Sequence, residues 1–190
     1  MFPYFAFTEE ALGWWWDYKW SLIGHISGGL LALVLGPLQF WKQIRQQYPT
    51  AHRWLGRTYI LAILVGALSA TYLAWTSGLR DSWAWAFSLQ MLALAWIMTT
   101  AMAYLYIRRR QISQHRAWMI RSYVVTFAFV VFRGLSEWET LREAIPFLDR
   151  GANRVWVSWV VPLLIAELLL RRRRSHQTAL SQNSTELLGK

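Results

Sequence analysis

The stretch QHRAWMIR, residues 114–121, stands between two long apolar runs and places a histidine and two arginines at the start of the second run. An earlier stretch, HRWLGR, residues 52–57, stands in the same position before another apolar run. Each has an aromatic residue two or three positions after the histidine and an arginine five or six positions after it. We interpret the two stretches as equivalent points of a duplicated helical hairpin, where a basic loop leads into a returning helix.

The composition places these hairpins in a lipid bilayer. Of the 190 residues, 55% are hydrophobic and 14 are Trp, which is more apolar surface than a compact water-soluble domain can bury. The formal charge of +10 does not indicate nucleic acid, because the basic residues punctuate apolar runs instead of forming a patch. The chain has no cysteine, which excludes disulfides and thiolate metal sites.

Five apolar windows are long enough to cross about 30 Å of hydrocarbon, which takes about 20 residues in a helix. The sequence therefore predicts an all-α integral membrane protein with five transmembrane helices: a four-helix core over residues 20–135, formed by the duplicated hairpin, and a fifth helix with a basic end over residues 155–174. The windows run from Trp20 to Trp41, Trp54 to Thr76, Trp83 to Ile107, Trp118 to Leu135, and Val155 to Leu170.

The basic residues predict the orientation. They concentrate between the first two windows, between the third and fourth, and after the fifth, so these regions are expected in the cytoplasm of a bacterium, with the N-terminus outside the inner membrane. Residues 1–19 are then a periplasmic interfacial segment, residues 136–154 a periplasmic loop, and residues 175–190 a disordered cytoplasmic tail.

Two runs of residues resemble a known family. They are GPLQFWKQIRQQYPTAHRWLGRTYILAILVGALSATYLA, residues 36–74, and HRAWMIRSYVVTFAFVVFR, residues 115–133. They resemble a bacterial family of predicted membrane proteins, domain of unknown function 2306, over most of residues 20–135. The resemblance implies a polytopic membrane fold and no established activity. More distantly, the arrangement is similar to transmembrane b-type cytochromes, although the third window has no histidine to pair with His25 around a second haem.

The two His-Arg starts predict an anion site. Backbone N–H groups at a helix start are unpaired and carry partial positive charge, to which the side chains here add. We expect a phospholipid headgroup, a carboxylate or haem propionates at this cationic pocket; the alternative is that the arginines only follow the charge rule for cytoplasmic loops and reach lipid phosphate. The pocket residues are His52, Arg53, Arg57, His115, Arg116 and Arg121.

These residues allow two functional hypotheses. The first is a binding or accessory subunit that holds phospholipid and associates with other membrane proteins or with a second copy, without nucleic acid. The second is an electron-transfer protein with one haem b, in which His52 and His115 are the axial ligands of the iron. Patterns for nucleophilic, zinc or nucleotide chemistry are missing from the sequence, so an enzyme is the least favoured class.

Glu167 is the lone acidic residue within the five windows, and it lies at the depth predicted for the cationic pocket. We expect it to pair with Arg121 or Arg57, because an ionised group in a membrane needs a partner. A protonated glutamate, or one that reaches the headgroups, is the alternative.

At the other end of the bundle, His25, Gln90 and Arg133 are predicted at a similar depth and can form an outer polar layer. Alternatively, His25 bonds to a neighbouring backbone, and Arg133 pairs with Glu137 four residues later. Beside His25, Gly24 and a second glycine four residues on predict the close approach of another helix.

Overall fold

The computed structural model describes residues 8–188, without the side chains of Ala11, Arg174 and residues 176–188. Within this part of the chain every regular element is helical, and two of the elements are 3-10 turns, Gly13–Tyr18 and Pro146–Asp149. The α-helices are α1 (Glu9–Leu12), α2 (Lys19–Phe40), α3 (Lys42–Gln47), α4 (Pro49–Trp75), α5 (Gly78–Asp81), α6 (Trp83–Arg108), α7 (Ile112–Thr126), α8 (Ala128–Glu137), α9 (Glu139–Ala144) and α10 (Gly151–Leu188).

Five helical segments of the described chain are long and apolar enough to cross a membrane, which confirms the predicted fold class. Consecutive spans run in opposite directions because their connections are short. The spans are Gly13–Phe40, Pro49–Asp81, Trp83–Arg108, Ile112–Glu137 and Gly151–Arg173.

The helices that carry the His-Arg pairs begin earlier than hydropathy predicts. Helix α4 starts at Pro49 instead of Trp54, and α7 starts at Ile112 instead of Trp118. Polar residues fit the first turn of a helix, where the N–H groups need other partners, and Pro49 has no N–H to leave unpaired. The His-Arg pairs therefore belong to the helices and have fixed directions around the helix axes.

The surface of the bundle is apolar in its middle part. Leu30 on α2, Leu61 and Leu68 on α4, and Leu164 on α10 are each about three-fifths exposed, at 60%, 62%, 63% and 59%. In water such large patches would drive association. In a bilayer they contact acyl chains, as expected of a membrane protein.

Helix α2 packs closely on α4 through its glycines. A Cβ atom added at Gly28 would lie 2.5 Å from the carbonyl oxygen of Ala62 and 2.7 Å from the backbone nitrogen of Gly66. One added at Gly24 would lie 2.6 Å from the Ser69 hydroxyl oxygen. The predicted close approach of another helix at this pair of glycines is confirmed, and that helix is α4.

A second close contact joins α2 to α7 at Gly36 and Pro37. Proline has no N–H to donate to the carbonyl four residues earlier, and that carbonyl, of Leu33, accepts a hydrogen bond from the Tyr123 hydroxyl at 3.3 Å. A Cβ added at Gly36 would lie 2.1 Å from the Tyr123 ring. The Gly-Pro pair thus supplies both the room and the acceptor for Tyr123.

The centre of the core is a network of hydroxyl groups. The Tyr59 hydroxyl lies 3.0 Å from the Ser122 hydroxyl and 3.1 Å from that of Thr126. Trp96 donates its indole N–H to Thr126 at 2.8 Å, and Thr100 lies 2.8 Å from Ser122. Every one of these buried groups has a partner, as a low-dielectric interior requires. The network joins α4, α6 and α7.

The fourth span is broken between α7 and α8, next to this network. Thr126 is the last residue of α7, and its hydroxyl donates to the Ser122 carbonyl at 2.9 Å. Such back-bonding by Ser and Thr bends helices.

The fifth span lies outside the four-helix core, where α10 packs against α6, α7 and α8. The helix continues to Leu188, through the polar segment that we expected to be disordered. Residues 163–188 contain neither Gly nor Pro, and adding residues to an existing helix is much easier than starting one. The predicted interfacial position of residues 1–19 stays a prediction, and residues 1–7 lie outside the described part.

Replacing Gly28 with Ala should destabilise the bundle, because the new methyl group meets the α4 backbone. We expect a loss of about 1–3 kcal/mol, measured by unfolding in mixed micelles. Gly29→Ala is the matched control, since an added Cβ there has nothing within 4 Å. Equal stability of the two variants would contradict the close α2–α4 contact.

Candidate functional site

The two repeated helices, α4 and α7, start at the same level of the bundle, in register with each other. Tyr59 and Ser122, which are hydrogen-bonded at 3.0 Å, are each the seventh residue after the histidine of their own repeat. Equivalent positions of the two helices therefore lie at the same level, at one end of the bundle, which we call the basic end.

In the second repeat the histidine is hydrogen-bonded to the preceding helix. His115 Nδ1 lies 2.9 Å from the carbonyl oxygen of Ala103 on α6. Because a carbonyl oxygen only accepts, the proton of the neutral ring must be on Nδ1. The Nε2 atom of His115 then carries a lone pair, with which it can accept a proton or bind a metal.

In the first repeat the equivalent hydrogen bond is missing. The residue twelve positions before His52 is Phe40, where α2 ends, and Trp41 after it is extended at φ −66° and ψ 115°. Helix α6 instead runs to Arg108, five residues beyond its own equivalent position, Ala103. The Nδ1 atom of His52 is buried without a hydrogen-bond partner among the described residues.

A second unpaired donor lies one turn along the same face of α4. Gln39 of α2 is only 7% exposed, and its Nε2 atom has no hydrogen-bond partner within the described chain. Its Oε1 atom lies 3.5 Å from the position of a Cβ added at Gly56, four residues after His52. We define Gln39, His52 and Gly56 as the seam site, after the α2–α4 seam in which they lie.

The sequence analysis missed Gln39 and the hydroxyl network. A signal for the network exists, because Ser122 and Thr126 are four residues apart and fall on the face of α7 that carries His115. Gln39 has only a weak signal: it is a single amide in the last turn of a helix made mostly of apolar residues.

Three arginines predicted in the pocket turn away from it. Arg53, Arg57 and Arg116 are exposed; Arg53 donates to the Thr50 hydroxyl at 3.2 Å, and the Arg57 guanidinium lies 5.0 Å from the centre of the Trp54 ring. The prediction that they converge with the histidines is therefore wrong. At about 100° per residue, positions one and five after a histidine point about 100° and 140° away from it.

Arg121 and Glu167 are joined by a salt bridge, and Arg57 is not the partner. The Nε atom of Arg121 donates to Glu167 Oε2 at 3.1 Å, and a second guanidinium nitrogen contacts the same oxygen. Arg171 Nε donates to Glu167 Oε1 at 3.1 Å, and the Arg121 guanidinium lies 4.7 Å from the centre of the Trp118 ring. With Arg121 at 13% exposure, this contact fastens α10 to α7.

The predicted outer polar layer does not form. His25 Nδ1 donates to the Gly66 carbonyl oxygen at 3.1 Å, because α2 packs on α4, and Gln90 accepts from the Trp75 indole N–H at 3.0 Å. Arg133 pairs with Glu137 at 2.8 Å on the exposed surface of α8. Each of the three side chains therefore has a different partner, and His25 takes the alternative role of a backbone contact.

Two open surface cavities, each about 380 Å³, lie at the opposite end of the described chain. One is lined by residues of α9 and the turn after it, among them Arg142 and Asp149, and the other by residues of α8 from Phe129 to Glu137. Residues 8–188 bring together no group of three or more His, Asp or Glu that could hold a metal ion.

The chain belongs to a family of predicted membrane proteins, domain of unknown function 2306, whose model matches residues 22–170. The match covers all five spans in whole or in large part. Neither a curated protein nor a solved structure matches the chain.

Replacing Glu167 with Gln should destabilise the attachment of α10. The change leaves the largely buried Arg121 guanidinium without a negative partner, so we expect a loss of about 1–3 kcal/mol in detergent unfolding. Glu137→Gln is the matched control: it breaks a pair whose side chains are 69% and 65% exposed, and should change stability by less than about 0.5 kcal/mol. If both variants melt at the wild-type temperature, Glu167 has no structural role.

Proposed function

We propose that this member of the family is an accessory membrane protein that holds the phosphate of an anionic phospholipid at its basic end, in the cytoplasmic leaflet of a bacterial inner membrane. The observation that carries the proposal is the in-register start of α4 and α7. Two helix starts at one depth place their partial positive charges at the same level of the membrane. A phosphate is the common anion of a membrane at that depth.

The exposed arginines supply the charge for this contact. Arg53, Arg57 and Arg116 surround the two helix starts and point to the surface, where they can reach lipid phosphates. A basic side chain near an anionic leaflet contributes about 1 kcal/mol to binding. The histidines of the predicted pocket lie behind this rim, so the phosphate site that we propose is formed by the exposed guanidinium groups and the helix starts.

The proposed accessory role rests on the exposed apolar surface of the helices. Exposed leucines cover α2, α4 and α10, and α2 contributes little more than its glycine face to the core. Such helices can bind lipid, a second copy of the chain or another membrane protein. We therefore expect one of these three to cover the exposed leucines.

A lipid-retention assay tests the phosphate contact. Protein reconstituted with equal amounts of phosphatidylglycerol and phosphatidylcholine should retain mostly phosphatidylglycerol when it is extracted with limiting detergent. The double variant Arg53→Gln/Arg116→Gln should lower that ratio at least about fivefold, as measured by lipid mass spectrometry. Arg80→Gln/Arg133→Gln removes the same charge from the opposite end, and an equal fall in this control would show that net charge alone governs retention.

One observation favours haem binding as a second candidate. His115 is bonded through Nδ1 to a backbone carbonyl, which is the arrangement that orients a metal-ligating imidazole and leaves Nε2 for the metal. His52 is the equivalent residue of the first repeat, at the same level of the bundle. Together they would be the two axial ligands of one iron, at the end where the exposed arginines can reach propionates.

A visible spectrum of the purified, reduced protein decides this candidate. A b-type haem should give sharp absorption bands that disappear in both His52→Ala and His115→Ala and persist in His25→Ala, whose histidine is bonded to Gly66. Protein that folds in haem-supplied cells but shows no such bands would rule out the haem hypothesis.

A further inference from the structure

We infer that the seam site, formed by Gln39, His52 and Gly56, binds the carboxylate head of a single-chain amphiphile such as a fatty acid. This ligand and its contacts are separate from the phospholipid phosphate that we place at the exposed arginines. The observation behind the inference is a pair of buried side-chain nitrogens, Gln39 Nε2 and His52 Nδ1, on two different helices, without partners in the described chain.

Comparison of the two hairpins shows that His52 lacks a hydrogen-bond acceptor. In the second hairpin the equivalent histidine donates to the Ala103 carbonyl oxygen, so this position of the fold normally meets an oxygen acceptor. In the first hairpin α2 ends at Phe40, and the acceptor is missing. Buried polar groups are rarely left unpaired, because each one costs free energy when it leaves water. An oxygen acceptor from outside the chain would therefore satisfy them.

Two donors and a positive surrounding fit a carboxylate. Gln39 packs beside Gly56, which lies one helical turn after His52 on the same side of α4. A carboxylate offers two oxygens in one plane, one for Gln39 Nε2 and one for His52 Nδ1 when that nitrogen carries the ring proton. The start of α4 adds its partial positive charge. A phosphate head has more oxygens and more charge than these two buried nitrogens can satisfy.

The position of Gln39 explains why the ligand should carry an acyl chain. Gln39 lies at the end of α2, in the last turn before the basic end, and is 7% exposed. On the side of α2 that carries Gln39, four and eight residues earlier, Leu35 is half-buried and Leu31 is exposed. A carboxylate inserted at the seam would leave its hydrocarbon chain along this surface, in contact with the bilayer.

Gly56 makes the inference testable without damage to the fold. A Cβ added there meets no atom closer than the Gln39 Oε1 atom at 3.5 Å, an ordinary contact distance. The variant Gly56→Ala therefore fits the apo protein, and alanine favours the helix. The added methyl group nevertheless occupies the space beside the Gln39 amide that the carboxylate needs.

Thermal melting of the full chain in maltoside micelles, followed by tryptophan fluorescence, tests the site with three probes: sodium oleate, methyl oleate and oleyl phosphate. We expect oleate to raise the melting temperature of the wild-type protein by several degrees and methyl oleate to leave it unchanged. Oleyl phosphate should act more weakly than oleate. Gly56→Ala and Gln39→Leu should lose the oleate shift, whereas Gly134→Ala, where an added Cβ meets nothing within 4 Å, should keep it.

Three results would overturn the inference. An equal shift with methyl oleate would indicate nonspecific binding of the acyl chain, and a full oleate shift in Gly56→Ala would place the site elsewhere. The absence of any shift in the wild-type protein would mean that the two nitrogens bind nothing larger than water. None of these results affects phosphatidylglycerol retention at Arg53 and Arg116, so the phosphate proposal stands or falls separately.

Discussion

The hydrogen bond between Tyr59 and Ser122 fixes the register of the whole core. Both residues are buried, and their hydroxyl groups belong to a network in which every member has a partner on a neighbouring helix or in its own turn. A shift of one residue would rotate α7 by about 100° relative to α4 and leave several hydroxyls unpaired in a low-dielectric interior. The alignment of His52 with His115, seven residues earlier in each repeat, follows from this one contact.

Hydropathy and charge predict the depth of a residue in the membrane well, but they predict poorly the direction in which its side chain points around the helix axis. The five spans, and the pairing of Glu167 with Arg121, follow from depth, because a lone intramembrane acid must find a cation at its own level. The choice of Arg121 over Arg57 depends on direction: six residues after its histidine, Arg121 points to the side of α7 where α10 packs. Nothing in the amino-acid order alone says on which side the fifth helix lies.

The same distinction explains why the outer polar layer does not form. His25, Gln90 and Arg133 do lie toward the same end, but α2 packs on α4 because its small residues face that helix. His25 is then directed at the Gly66 carbonyl, and the two other side chains bond to nearer partners. Small residues determine which helices pack against each other. Polar side chains at the same depth therefore cannot be paired before the helix contacts are known.

The duplicated hairpin is most informative where its two copies differ. Pro37 frees the Leu33 carbonyl for Tyr123, which holds α2 against α7, and α2 ends three residues later at Phe40. The second hairpin has no proline at this point, so α6 continues past Ala103 and keeps a carbonyl in place for His115. The two repeats therefore differ at equivalent histidines: His115 is hydrogen-bonded to the preceding helix, whereas the Nδ1 atom of His52 has no partner among the described residues.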